Sequence, residues 1–175
     1  MAEFTPERIE RAKLFLSRVS VESPDALRAR LEETRRNWFG ELDGLSAAQQ
    51  DFKPAPDKWS IREVNLHMTH AMDRVSGLIA LLASGTTPQA PTPRMGVVPD
   101  DPGAWEKVEQ GIRAAFESAK ATMTALEGAP NLDTRFPHPI FGPLNCRDWA
   151  AFHVLHANVH VDQMKRNKKD DSFPN

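Results

Sequence analysis

The chain has a single cysteine, Cys146, in 175 residues. That excludes an internal disulfide, so an oxidising compartment is not required. Long hydrophobic runs are missing too: no apolar stretch is long enough to span a bilayer. The opening segment MAEFTPERIERAKLFLSRV alternates charged with apolar residues, so it reads as neither a signal peptide nor a membrane anchor. The expected compartment is the cytoplasm. Charge of one sign is not in excess either, and a formal net charge of -2 offers no attraction to nucleic acid. No phosphate loop, CxxC pair or Ser-His-Asp pattern is present. What remains is an ordinary globular balance, 40% hydrophobic and 26% charged, at a length suited to one domain.

Helix signals dominate that domain. Thr5-Pro6 and Ser23-Pro24 each pair a capping residue with a proline suited to the first helical turn. The first predicts a short helix to about Val19, and the second a longer one carrying Leu27, Leu31, Trp38 and Leu42. The segment DFKPAPDK then breaks the pattern. Ser60, with Glu63 three residues on, is a capping box and predicts a helix to about Ala83. A crossover from Gly85 to Pro102 contains Pro88, Pro91, Pro93, Pro99 and Pro102. It is long for a segment without structure of its own. Asp101-Pro102 is expected to open a fourth helix, to about Leu126. A second crossover, Gly128 to Asn145, contains HPIFGPLN, of which HPIF could pair briefly as an extended piece. Asn145 should cap a last helix from Arg147 to about Lys168, and the tail should fray. These elements predict an all-α fold, a four-helix bundle with a short extra N-terminal helix and two long crossover loops. The expected boundaries are residues 1–22 for the helical extension, 23–170 for the bundle and 171–175 for the tail.

The last helix carries RDWAAFHVLHANVHVDQMK. With His156 set at zero and 100° per residue, His160 falls at about +40°, His153 at about +60°, Trp149 at about +20° and Gln163 at about -20°. Phe152 and Val159 fall at about -40° and about -60° on the same count. This stripe is expected to face the core, and each polar group on it costs roughly 1–3 kcal/mol if left unpaired. A single histidine there would be explained by a hydrogen bond to the backbone or to another histidine. Several on one stripe favour a shared cation, because imidazoles four residues apart can point at one ion. A further ligand must come from another helix. The Ser60–Ala83 helix offers His67 on the edge of its apolar stripe of Val64, Met68, Ala71, Val75, Leu78 and Leu82. His70 lies about 60° further out, so His67 is the better ligand and His70 a surface residue or one behind the ligands.

These residues resemble a known family. KWSIREVNLHM, with His67 eight residues after Trp59, resembles the first metal-ligand motif of the DinB/YfiT-like superfamily, and HVLHANVHVDQ, with His156, His160 and Gln163, is similar to its second. FPHPIFGPLNCRDWAAFH looks like the DUF1569-like subfamily, in which a HPxFGxL turn leads into the last helix. The resemblance spans about Ser23 to Lys168. It implies a right-handed up-down-down-up bundle with a divalent ion, zinc or nickel, held near one end by His67, His156 and His160. It also implies a homodimer, and relatives that include thiol S-transferases and hydrolase-like proteins.

Three neutral imidazoles leave the ion its full charge and at least one open position, as catalytic sites do and closed structural sites do not. Such an ion acidifies a water or a thiol that reaches it. The expected partner is therefore a small-molecule substrate or thiol, with neither nucleic acid nor membrane. Glu63 is a candidate acid or base, although its role in the capping box competes. His153 is either a donor behind the ligands or a structural group reaching the HPIFGPLN turn. Gln163 either serves a water or substrate at the ion or caps a polar pocket. Cys146 is read as a passive buried thiol, and the alternative to an enzyme is a noncatalytic metal- or ligand-binding stress-response module.

Overall fold

The computed structural model describes residues 5–89, 96, 98 and 103–175. Helix α1, Pro6–Val19, starts where the Thr5 hydroxyl accepts from the Arg8 N–H. Helix α2, Pro24–Leu42, starts the same way at Ser23, which accepts from Ala26. Helix α3, Ala47–Asp51, leads into the DFKPAPDK break, where the sequence pattern predicts no element. Its five residues carry no legible periodicity, yet Ser46 and Gln49 close a reciprocal capping box that satisfies both ends of the first turn. Helix α4, Ile61–Ala83, opens on the expected box: Ser60 Oγ accepts from Glu63 N at 3.2 Å and Ser60 N donates to Glu63 Oε2 at 2.8 Å.

Helix α5, Trp105–Thr122, begins later than expected, behind Ala104 and without a side-chain cap. The expected opening residues Asp101 and Pro102 lie outside the described residues. Gly103 supplies the reason for the shift, since its φ of 60° is left-handed and a right-handed helix cannot run through it. A 3-10 turn, Met123–Leu126, finishes this helix. Strands β1, Phe136–His138, and β2, Gly142–Leu144, pair antiparallel with Phe136 opposite Leu144. The extended pairing expected of HPIF is thus corrected, because Ile140 and Phe141 form the turn. Both their N–H groups donate to His138 Nδ1, at 3.1 and 3.3 Å, and Gly142 takes a φ of 74°. Helix α6, Cys146–Asn167, is capped by Asn145 with Asp148 as the reciprocal partner.

Helix α4 packs against α5 and α6, and α2 packs against α6 and α5, so the four run around the core in the order α2, α5, α4, α6. Polar contacts fix their directions. Arg28, near the start of α2, pairs with Glu127 just past α5, and Arg147, at the start of α6, donates to the Leu126 carbonyl. At the other end Asn167 of α6 bonds the Trp59 carbonyl just before α4, and the Arg62 guanidinium lies over the Trp105 ring at the start of α5. The bundle therefore runs up in α2, down in α4, down in α5 and up in α6. The single parallel step, from α4 to α5, needs a connection between opposite ends of the bundle, which accounts for the length of the first crossover. Helix α1 lies along α6, burying Leu16 and Val19 in the shared core.

The tail is fastened where fraying was expected. Phe173 meets Phe52 edge to face at 5.3 Å, and Gln49 Nε2 donates to the Pro174 carbonyl at 2.9 Å. No helix among the described residues is long and apolar enough to cross a membrane. Inside the bundle the fully buried Trp38 donates through Nε1 to Asn65 Oδ1 at 2.8 Å, and Asn65 Nδ2 donates to the Ile61 carbonyl at 2.8 Å. Asn65→Leu keeps the volume and strands the indole N–H, at a cost of about 1–3 kcal/mol. Urea denaturation should show that loss, and Trp38→Phe added to Asn65→Leu should recover part of it. An unchanged midpoint in the single variant would mean that the indole has another acceptor.

Candidate metal centre

Helices α4 and α6 run antiparallel side by side, and their facing sides bring His67, His156 and His160 together. Each offers one ring nitrogen, all three within 4.8 Å of one another, the metal-capable group found among the described residues. His67 Nε2 stands 3.4 Å from His156 Nε2, and His156 Nε2 stands 3.1 Å from His160 Nε2. An ion holding imidazoles at about 2.0–2.1 Å in tetrahedral directions separates its nitrogens by about 3.3 Å, so both spacings suit a shared cation.

The hydrogen bonding points the same way. His160 Nδ1 lies 2.8 Å from Gln163 Oε1, an acceptor, so the proton of the neutral ring belongs on Nδ1 and Nε2 presents a lone pair. A proton on His156 Nε2 can satisfy one neighbour, and a Lewis acid can satisfy all three. Gln163 is thereby placed behind His160, as the group that orients its ring. That is a more specific role than the pocket or substrate roles its spacing suggests.

Burial keeps His156 and His160 uncharged. Desolvation first, then the nearby His67, holds His160 down to about 3, while the Gln163 bond pulls the other way. Desolvation, followed by repulsion from His160 and His67, holds His156 well below the ordinary histidine range. Its charged-state neighbours are all histidines, with His153 and His138 completing the set. Desolvation alone brings His153 to about 3 and His138 to about 4.

The remaining expected residues divide sharply. His70 is exposed on the outer face of α4. Glu63 is held by Ser60 N and by Lys53 Nζ at 2.6 Å, so it serves the helix start. His153 is 2% exposed, and its Nε2 lies 3.1 Å from Ser76 Oγ of α4. It is not part of the group formed by His67, His156 and His160. Cys146 is buried, its Sγ lies 3.3 Å from the Asn131 carbonyl, and burial raises its pKa, so it stays a passive thiol. The buried face of α6 is also rotated from the expected stripe. Val159 is 37% exposed and His156 only partly buried, whereas Ala157, Val161 and Met164 are in the core. Helix α1, packed on α6, covers more of that side than an isolated four-helix reading allows.

Two aromatic neighbours were not foreseen as site residues. Trp59, a landmark in sequence, stacks on His160 at 5.9 Å and 15° and tilts over His67 at 4.7 Å. Phe152 stacks on His156 at 5.0 Å and 21°, and on its other flank meets His138 at 4.5 Å. His138 thus links the hairpin to the centre through Phe152. Only the HPxFGxL turn signals it in sequence.

A model of the DinB superfamily matches residues 30–164 of the chain. The uncharacterized protein YuaE of Bacillus subtilis (strain 168) is 25% identical over 153 residues, covering 78% of this chain and 94% of that protein. Among solved structures, the fold resembles YfiT from Bacillus subtilis, described as a probable metal-dependent hydrolase with an unusual four-helix bundle topology. The TM-score is 0.63 at 16% identity, over 86% of this chain and 89% of that one. It also resembles TT2238, a four-helix bundle protein, with a TM-score of 0.58 at 21% identity, over 82% of this chain and 99% of the other.

The buried imidazoles set a pH dependence. Unfolded histidines take up protons near pH 6.5, whereas folded His153 and His160 resist until about pH 3 and His138 until about pH 4. Below 6.5 the unfolded state therefore binds more protons, and stability falls as pH falls, by roughly 1.4 kcal/mol per pH unit for each such group. Urea midpoints of metal-free protein should drop steeply from pH 7 to pH 5. A flat profile would show that these rings are not held neutral. Gln163→Ala frees the His160 tautomer and should weaken zinc binding about 10–100-fold by calorimetry; an equal affinity would remove Gln163 from the centre.

Proposed function

We propose, on the premise that the chain belongs to the DinB superfamily, that it is a divalent-metal-dependent hydrolase-like enzyme acting on a small molecule. The observation that carries this reading is the convergence of the His67, His156 and His160 Nε2 atoms from two helices onto one point between them. The description of the structural relative YfiT as a probable metal-dependent hydrolase supports it. His67, His156 and His160 would hold the ion, and a neutral ligand set leaves it the charge to polarise a carbonyl or acidify a water or thiol. Zinc and nickel suit three imidazoles equally. Gln163 and Trp59 keep His160 in place, and the partly buried His156 marks the side on which substrate approaches. The finer assignment to the DUF1569-like subfamily rests on the hairpin FPHPIFGPL, whose His138 touches Phe152 beside His156.

One observation favours a second reading, a noncatalytic metal-binding module. Glu63, the acid or base candidate, is engaged by Ser60 and Lys53. The groups acting on His156 electrostatically include no carboxylate.

Protein purified without a histidine tag separates the two. Elemental analysis should find stoichiometric zinc or nickel, and adding either should raise the melting temperature, because an ion that binds only the folded state stabilises it. Small esters, amides and a thiol acceptor are then assayed with the loaded protein. His67→Ala and His160→Ala should lose both the ion and turnover while keeping their helical circular dichroism. Turnover unchanged in those variants sinks the enzyme reading, and stoichiometric ion without turnover leaves the binding module.

A further inference from the structure

The buried Ser76–His153 pair has no part in the chemistry above, and core packing does not require it. Ser76 is 4% exposed and His153 2% exposed, and their neighbours along the two helices, Met72, Val75, Ile79, Val154 and Ala157, are apolar and buried. Two aliphatic side chains there would avoid the desolvation of a hydroxyl and an imidazole. His153 is also not a fourth ligand, since its nitrogens fall outside the group that lies within 4.8 Å.

Its place along the α4–α6 seam supplies a role. Reading along α4, Trp59 O meets Asn167 Nδ2 at 2.8 Å, Asn65 Nδ2 meets Met164 Sδ at 4.0 Å, His67 meets His156, and Ser76 Oγ meets His153 Nε2 at 3.1 Å. Residue numbers rise on one helix as they fall on the other, so all four contacts belong to one antiparallel register. Helical rise places Ser76 about 13.5 Å beyond His67 along α4. The histidine ligands therefore lie between two hydrogen-bonded pins, Trp59–Asn167 outside and Ser76–His153 inside. An apolar seam tolerates small slides, whereas a hydrogen bond between buried groups exists in one register, as a buried polar pair does in a coiled coil. Ligands from two helices need that discipline, because a metal site accepts its donors within about 0.2 Å.

We propose that Ser76 and His153 are positioning residues whose hydrogen bond sets the register of α4 against α6, and with it the spacing of the His67, His156 and His160 nitrogens. The proposal rests on the reading of those three as metal ligands.

The test is titration of the metal-free full chain with Co²⁺, reading affinity and the visible absorption of the bound ion, beside the melting temperature of each metal-free protein. Ser76→Ala should bind Co²⁺ about 10–100-fold more weakly with an altered absorption band. Ser76→Thr, which keeps the hydroxyl, should restore both. His153→Phe, which fills the ring volume without a hydrogen-bonding atom, should reproduce the loss from the other helix, and so serves if Ser76→Ala does not fold. Wild-type affinity and spectrum in Ser76→Ala or His153→Phe overturn the positioning role while leaving the metal centre standing. Wild-type protein that binds no more Co²⁺ than His67→Ala overturns the metal reading, and the positioning role with it.

Discussion

Desolvation of uncharged imidazoles between α4 and α6 is the constraint around which the molecule is arranged. His153, His156 and His160 cannot carry a second ring proton at neutral pH, because burial holds His153 and His160 near 3 and His156 well below the ordinary range. Each neutral ring then has one donor and one acceptor to place. The seam answers with partners of fixed direction, Gln163 for His160 and Ser76 for His153, and in the hairpin turn the N–H groups of Ile140 and Phe141 serve His138. These partners lie on α6, on α4 and in the β1–β2 turn, so the polarity of the site reaches into three parts of the chain.

The topology follows from the same pair of helices. An up-down-down-up bundle makes α4 and α6 antiparallel neighbours although a crossover, α5 and a hairpin separate them in sequence. Helix α5 starts at the end where α4 starts, so the two run parallel. The hairpin then turns the chain into α6 at the end where α5 stops. Its tip lays Phe141 on Phe152 at 6.2 Å, and Phe152 stacks on His156, so the loop that starts α6 also braces His156, about three turns into it.

Where the sequence was legible, the signal was local chemistry. The Ser60–Glu63 box, Asn145 and the proline starts of α1 and α2 are read from single residues, because a cap satisfies N–H groups within one turn. The spacing of His156 and His160 follows from helix geometry in the same way. What was not legible depends on distant partners. The rotation of the buried face of α6 needs α1 packed on its flank, and the anchoring of Phe173 needs Phe52 across the surface. Trp59 precedes α4 by two residues and shows no periodicity, so its stacking on His160 appears only once α6 is beside it. Helix α3 is too short for any periodic signal, and the hairpin register turns on His138 capping its own turn.

The polar groups of the core differ from His67, His156 and His160 in one respect that bears on function. Trp38 meets Asn65, Asn65 meets Ile61, Ser76 meets His153, and Asn167 meets Trp59, each joining a group that can donate to one that can accept. At the histidine triad like faces like. The bond to Gln163 gives His160 Nε2 a lone pair, and two further Nε2 atoms are crowded toward it at hydrogen-bond distance from one another. One proton can bridge one pair of these nitrogens, whereas one ion can be shared by all three. Among the described residues Trp149 Nε1 is the buried side-chain polar atom left without a hydrogen bond, and a fold that pairs the others has no packing reason to bring three imidazole nitrogens to one point. A Lewis acid supplies that reason, since it is the kind of partner that three converging lone pairs satisfy together.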